Sequence, residues 1–377
     1  MATALRKWGH RVLVATPDRQ GDLCFDEAGI ETARIPGPKH DQERFVRAIP
    51  LPHLFRRLAQ YLFMIRIRAY LDVLQPDIVQ VNPVMFAFIL PMLRRKKSVY
   101  LLDVRQAGEV AGNDLFGRFK NWRMVLKHRL NARIFYHQAC FASEAAAERI
   151  LGPRWSRWAT IHRVGQDPSF LTYQWPADHM PAKSGLVRFV YIGSIARIRQ
   201  LELLLAAIRQ VASKRRDFAV DFIGPDGANE YYQRLVDEWG LDGIVRFLPP
   251  VPYSRVAATV AAYDVALAYV PPRPDWLVQP TLKVLEYRAL GIPTLASDNA
   301  ANRPIIQDGV NGLLVNHTQD GISDGLIRFL ADREFLVCVT ENARHNRLGR
   351  TWADSAKEYL DIAYKPLLQT IEKLTCK

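Results

Sequence analysis

QPTLKVLEYRALGIPTLASDNAANRPIIQDGVNGLLV, residues 279–315, holds a helix, a buried strand and a turn into a second strand in one run. Pro280 suits a helix start and Thr281 its cap; Leu282, Leu285, Tyr287 and Ala289 fall in the helical stretch that Gly291 and Pro293 close. Thr294 to Ser297 is a short apolar run ending at Asp298, and Gly309 and Gly312 bracket a turn before a strand over Leu313 to Val315. Lys283 and Glu286, three residues apart, share a helical face near an amino end whose free amides already attract an anion. Amides, a cation and then a carboxylate can hold a phosphate and, one turn on, a pair of hydroxyls.

The spacing is also specific. Lys283, Glu286, Tyr287, Ala289, Gly291, Pro293, Ala296, Ser297, Asp298, Gly309, Asn311 and Gly312 resemble the pattern K-x-x-E-Y-x-A-x-G-x-P-x-x-A-S-D followed by G-x-N-G of family-four glycosyltransferases. The resemblance implies an α/β chain of the GT-B fold: two Rossmann-like, doubly wound parallel-sheet domains facing a central cleft. The expected division is an acceptor domain over 1–175, a nucleotide-sugar-binding domain over 186–351, and a terminal helix over 352–377 packing back on the first.

Upstream, Val187 to Ile192 reads as a strand running through Gly193, Ser194, Arg197 and Arg199 into a helix, which places cations and amides where a diphosphate could sit. The resembled motif is G-R/S-x-x-x-x-K/R-G; Ser194 and Arg199 match, Gln200 replaces the last glycine, and Arg197 could supply the cation that Ser194 does not. The resemblance gives the catalytic roles to Arg199, Lys283 and Glu286, and surrounds the donor with Gly193, Ser194, Arg197, Val251, Tyr253, Gln279, Thr281 and Leu282. It implies a retaining enzyme that moves a sugar from a UDP- or GDP-sugar to a hydroxyl of a lipid-linked or saccharide acceptor, in cell-surface polysaccharide or glycolipid synthesis. The two cations make a divalent metal unnecessary, so no metal and no cofactor is expected. The family's first glutamate of E-x7-E should lie near Val278 and is absent, leaving Asp275 or Gln279 to meet the sugar.

The first half carries less. Trp8-Gly9-His10 before Arg11 to Thr16 reads as a helix ending at glycine and feeding a strand, which the resemblance makes the second strand of its sheet. Either the sequence begins late or another segment fills the first position. Arg44 to Leu74 reads as a long helical region, and Pro76 to Asn82 and Ser98 to Val104 read as strands, as does Ala261 to Ala268 in the second half; Gln80 and Asn82 stand where the family often has histidine. Asp103, Arg105 and Glu109, at a carboxyl strand end, are candidates for the acceptor; a surface salt-bridge cluster explains them equally well. The Gly165, Asp167 and Phe170 connection resembles the family's exit from the first domain, and Tyr173 to Gly185 reads as the linker.

Bulk properties bound the rest. A chain of 377 residues suffices for two domains, and 49% hydrophobic with 24% charged residues excludes disorder. The net charge of +13 calls for an anionic partner. Arg118 to Phe135, with Arg118, Lys120, Arg123, Lys127, Arg129 and Arg133 among apolar residues, could lie on an anionic membrane surface, a peripheral attachment at the inner face of the cell membrane for a cytoplasmic enzyme. No nucleic-acid recognition motif occurs. Cys24, Cys140, Cys338 and Cys376 are scattered, without metal or disulfide spacing. Two other classes stay open: a catalytically impaired pseudo-glycosyltransferase acting as a scaffold, and a GT-B sugar-nucleotide epimerase.

Overall fold

The computed structural model describes residues 2–18, 23–25, 31–36, 67–69, 71–81, 98–105, 115–176, 181, 185–225, 227–273 and 276–375. Glu109, Asn82, Asp275, Cys376 and most of the helical stretch read over Arg44 to Leu74 lie outside these residues. The chain divides into two compact units, Met1–Arg163 with Ala353–Lys377, and Val164–Trp352.

In the first unit, helix α1 (Ala2–Lys7) stops at Gly9, whose φ of 87° is a left-handed value. Strand β1 (Leu13–Asp18) follows and pairs parallel with β3 (Glu31–Pro36), which pairs antiparallel with β2 (Leu23–Phe25). These three form a sheet of their own. A second, four-stranded parallel sheet has the order β4 (Ile78–Val81), β5 (Val99–Val104), β6 (Gln138–Phe141), β7 (Ala159–Ile161). All six residues of β5 are buried, as expected for an inner strand of a parallel sheet covered on both faces. Helix α2 (Leu115–Leu130) precedes β6 and runs on as a π-helical turn over Asn131–Phe135; α3 (Glu144–Leu151), capped by Ser143, precedes β7.

The first helix of the second unit is α4 (Pro168–Thr172), capped by the Asp167 carboxylate accepting from the Ser169 amide at 2.9 Å. Its Phe170 is fully buried against this unit's helices, which assigns the segment to the second unit rather than to the first. Next come β8 (Val187–Ile192), α5 (Glu202–Ala212), β9 (Phe218–Ile223), α6 (Asn229–Glu238) and β10 (Val245–Leu248). They are followed by α7 (Tyr253–Val260), β11 (Val265–Ala268), α8 (Leu282–Leu290), β12 (Thr294–Ser297), β13 (Gly312–Val315), α9 (Gln319–Ala331) and α10 (Arg333–His345). The strand expected over Ala261 to Ala268 starts only at Val265, because residues 253–260 are helical and Ala261 caps that helix.

The six strands are all parallel, in the order β10-β9-β8-β11-β12-β13. Period-two alternation sets the two faces. Phe189 and Tyr191 of β8 join the core under α5, α6, α9 and α10, while Val190 between them joins the core under α7 and α8. Apolar layers on both faces make this a doubly wound Rossmann-like sheet.

The terminal helices α11 (Trp352–Tyr359) and α12 (Lys365–Thr375) flank a π-helical turn over Leu360–Tyr364. Tyr359, Ala363 and Leu367 pack on Val99, Leu101 and Cys140 of the first unit's sheet. No helix among the described residues is long and apolar enough to cross a membrane.

Candidate functional site

Strand order in the second unit places the site before any side chain is considered. From β8 the chain passes to β9 on one side, and from β11 to β12 on the other. Ligands of open α/β sheets bind at the carboxyl ends of the strands where the order reverses. Two connections emerge there: residues 193–201 after β8, and residues 269–281 leading from β11 to the amino end of α8.

Gly193 opens the first connection with φ 148°, a value that favours glycine. A β-carbon there would lie 3.1 Å from Lys283 Nζ, so the missing side chain is what lets the backbone approach the amine. The next connection also presses in: a β-carbon on Gly224 would fall 2.0 Å from the Gly193 carbonyl oxygen.

Helix α8 is buried nearly all round, and this carries Lys283 and Glu286 inside with it. Lys283 is 8% exposed; its Nζ lies 3.5 Å from the centroid of the Tyr191 ring and has no hydrogen-bond partner among the described residues. Burial, then the charge of Arg199, hold its pKa well below the usual lysine range, with Glu286 opposing. The same lack of a partner holds for Thr281 Oγ1 at the cap of α8, where no side-chain cap bond forms, and for the Tyr191 hydroxyl, whose pKa burial pushes up to about 12. The Lys283 amine against the Tyr191 ring, the Tyr191 hydroxyl and the Thr281 hydroxyl at the cap of α8 thus have no hydrogen-bond partner among the described residues.

One turn along α8, Glu286 is 4% exposed and accepts a 2.7 Å hydrogen bond from the Tyr253 hydroxyl at the start of α7. Burial raises its pKa; the Tyr253 bond and Lys283 pull it down, and Asp167 pushes it up. The Tyr253 ring also lies 6.2 Å from that of Phe170, so the connection carrying Gly165, Asp167 and Phe170 borders the carboxylate.

The two arginines after β8 part company. Residues 197–199 make one 3-10 turn, ended by Gln200 at φ 46°, a left-handed residue. The resembled motif puts glycine there, and the backbone explains that glycine; Gln200 takes the same conformation with the strain of a β-carbon. Arg199 reaches toward Lys283 and Tyr191, closely enough to shift both, and its guanidinium lies 4.7 Å from the Trp276 ring centroid. Arg197 turns to α6 instead, 3.5 Å over the Tyr231 ring and 3.8 Å from Glu202. Lys283 and Arg199 are brought together, and Arg197 is not part of that pair.

Ser194, Val251 and Gln279 are half-buried, and Leu282 and the Tyr253 ring are partly exposed. Much of the remaining signature is scaffolding. Ser297 Oγ bonds both the amide and the carbonyl of Val270 at 3.1 Å, which ties β12 to the connection after β11. Asp298 pairs with Arg303 at 2.7 Å, and Asn311 Oδ1 accepts from the Gln307 amide at 3.1 Å. Arg347, outside the signature, donates to the carbonyls of Ala289, Tyr173, Phe170 and Leu171, clasping the carboxyl end of α8 to α4.

In the first unit, Asp103 is 5% exposed and accepts from Gln80 Nε2 at 2.8 Å and Arg105 Nε at 2.9 Å. Gln80 in turn accepts from the Tyr364 hydroxyl, and Arg105 lies 6.0 Å from the Tyr359 ring. Burial raises the Asp103 pKa against these partners. Asp103 and Arg105 therefore sit in a network that fastens the terminal helices to β4 and β5; Glu109 lies outside the described residues.

No sequence motif points to Tyr191 or Trp276. Tyr191 is hidden in a strand of alternating apolar residues; Trp276, an aromatic between arginine and a motif helix, was a usable signal. Among the described residues no group of three or more His, Cys, Asp or Glu could hold a metal ion.

The family model described as glycosyl transferases group 1 matches residues 187–332, the sheet and helices that build this site. A D-inositol 3-phosphate glycosyltransferase of Corynebacterium kroppenstedtii is 28% identical over 181 residues, 46% of this chain and 39% of that protein. The aligned stretch thus spans about two fifths of the relative's length. Among solved structures, a sucrose-phosphate synthase from Thermosynechococcus elongatus superposes with a TM-score of 0.75 at 18% identity, over 98% of this chain and 92% of that one. Anabaena HepE, solved with UDP and glucose, gives a TM-score of 0.65 at 13% identity over 100% and 94%. These likenesses establish the fold as GT-B.

Proposed function

We propose that the chain, whose residues 187–332 match the glycosyl transferases group 1 family model, is a retaining glycosyltransferase using a UDP- or GDP-sugar. One observation supports the reading above the others: a buried lysine amine without a partner among the described residues, at the first turn of α8. Withdrawing a cation from water costs several kcal/mol unless an anion compensates, and the diphosphate of a nucleotide sugar is that anion. Arg199 supplies the second positive charge, and the amides of α8 add to the field. Glu286, held by Tyr253, accepts from two neighbouring hydroxyls of the ribose.

In the reaction the bond between the anomeric carbon and the diphosphate oxygen breaks as the acceptor oxygen bonds to the same face. The leaving phosphate takes the acceptor's proton. Lys283 and Arg199 stabilise the charge that grows on the departing diphosphate, a task that needs no divalent metal. No protein nucleophile is required. The acceptor is a hydroxyl of a saccharide or lipid-linked saccharide, as in the synthesis of cell-surface polysaccharide or glycolipid.

Attachment to an anionic membrane face through α2 belongs to the same reading. Leu115, Phe119 and Trp122 are exposed by 85%, 53% and 59%, beside exposed Arg118, Lys120 and Arg123. Apolar groups to enter the interface and cations to meet headgroups are what such attachment uses.

A thermal-shift panel of UDP- and GDP-sugars, followed by measurement of nucleoside diphosphate released with and without saccharide acceptors, tests the proposal. Stabilisation by one donor and acceptor-dependent release are expected. A chain that no nucleotide or nucleotide sugar stabilises would not have this function.

A further inference from the structure

Arg199 and Arg197 lie two residues apart but are held in different ways. Arg197 lies over the Tyr231 ring at 3.5 Å but also has the Glu202 carboxylate within 3.8 Å. Arg199 has no carboxylate partner among the described residues and rests on an aromatic face, 4.7 Å from the centroid of Trp276. Arg273 lies 4.9 Å from the same ring. The backbone that carries the indole is held as well: the amides of Trp276 and Leu277 both donate to the Arg273 carbonyl, at 2.9 and 3.0 Å.

The difference matters chemically. A carboxylate would hold the guanidinium but neutralise it and occupy its donors. An aromatic face attracts the cation through the ring quadrupole and leaves the charge and the N–H groups for a ligand. A long arginine side chain in a loop otherwise loses much rotamer freedom when it engages a phosphate. A ring that restricts it beforehand lowers that cost.

We propose that Trp276 is a positioning residue of the donor site: its ring holds the Arg199 guanidinium, uncompensated, beside Lys283 where the two cations meet a nucleoside diphosphate. This rests on the donor-site reading above. It assigns the connection after β11 a role in binding the leaving group.

The test is a double-mutant cycle by isothermal titration of UDP and GDP, using whichever binds the full chain. Trp276→Leu is expected to weaken binding about three- to tenfold, and Trp276→Phe to restore most of the loss. In an Arg199→Ala background Trp276→Leu should have no further effect, and binding of the nucleoside alone should be unchanged by either Trp276 substitution. A structural defect would instead lower the melting temperature and weaken nucleoside binding too. Wild-type affinity in Trp276→Leu, or effects that simply add, overturns the proposal while leaving the donor site standing. Wild-type affinity in Arg199→Ala overturns the reading of the donor site itself.

Discussion

Lys283 Nζ lies 3.5 Å from the centroid of the Tyr191 ring, an amine set on an aromatic face where a carboxylate would be the usual companion. The folded protein bears the cost of that burial. Lys283→Met should therefore stabilise the free chain by about 1–3 kcal/mol, read by urea unfolding, while weakening nucleoside diphosphate binding at least about tenfold. Loss of both stability and binding would show that the amine is needed for folding.

The same burial makes binding pH-dependent. The unfolded chain keeps the Lys283 proton up to its ordinary value of 10.5, the folded chain only to a lower pH. Between those limits the unfolded state binds more protons, so this group's contribution to stability rises with pH. A bound diphosphate raises the folded pKa again. Titration of UDP or GDP in that window should show proton uptake across buffers of different ionisation enthalpy, with affinity falling as pH rises. Lys283→Met should lose the uptake, and its persistence there would place the titrating group elsewhere.

Glu286 and Tyr253 separate a ligand contact from its support. Glu286→Ala should weaken nucleotide binding by roughly 1.5 to 3 kcal/mol, the scale of a hydrogen bond to a charged group. Tyr253→Phe, which removes only the 2.7 Å bond that orients the carboxylate, should cost about 0.5–1.5 kcal/mol. Titration calorimetry gives both values, and equal losses would mean that Tyr253 contacts the ligand directly.

Gln200 allows a backbone test. At φ 46° a non-glycine residue carries strain of about 1 kcal/mol, which a glycine avoids at the cost of greater freedom in the unfolded chain. Melting temperatures should rank Gln200→Gly at or above wild type and Gln200→Val below it. A Gln200→Val protein as stable as wild type would contradict the left-handed assignment.

For α2, co-sedimentation with vesicles of anionic lipid is the measurement. Trp122→Ala with Phe119→Ala should reduce binding without altering nucleotide affinity, and Arg118→Glu should weaken binding further and lower its sensitivity to salt. Unchanged sedimentation in all variants would remove α2 from the attachment.

The sequence made some of this legible and concealed the rest, for identifiable reasons. Val187–Ile192 and Thr294–Ser297 are strands as read, because short apolar runs bounded by glycine, proline or aspartate have few alternatives. Lys283 and Glu286 could be placed together because a helix fixes the geometry of residues three apart. Residues 253–268 misled: YSRVAATVAAYDVALA is apolar almost throughout, and periodicity could not show that α7 ends before β11 begins. The motif favours Arg199 but leaves Arg197 as a second phosphate cation, because what sets Arg197 apart is Glu202 and Tyr231, and no local pattern reports such partners. Asp103 shows the same limit. Its partners Gln80 and Arg105 are near in the sheet, but Tyr364, which bonds Gln80, comes from 284 residues away.

The most direct measurement is the binding of UDP and GDP to the wild-type chain, Arg199→Ala and Lys283→Met by isothermal titration. One nucleotide should bind wild type with a single-site isotherm, and its affinity should fall at least tenfold in each variant while nucleoside binding is kept. Failure of both nucleotides to bind wild type, or equal affinity in all three proteins, would contradict a diphosphate site at the first turn of α8.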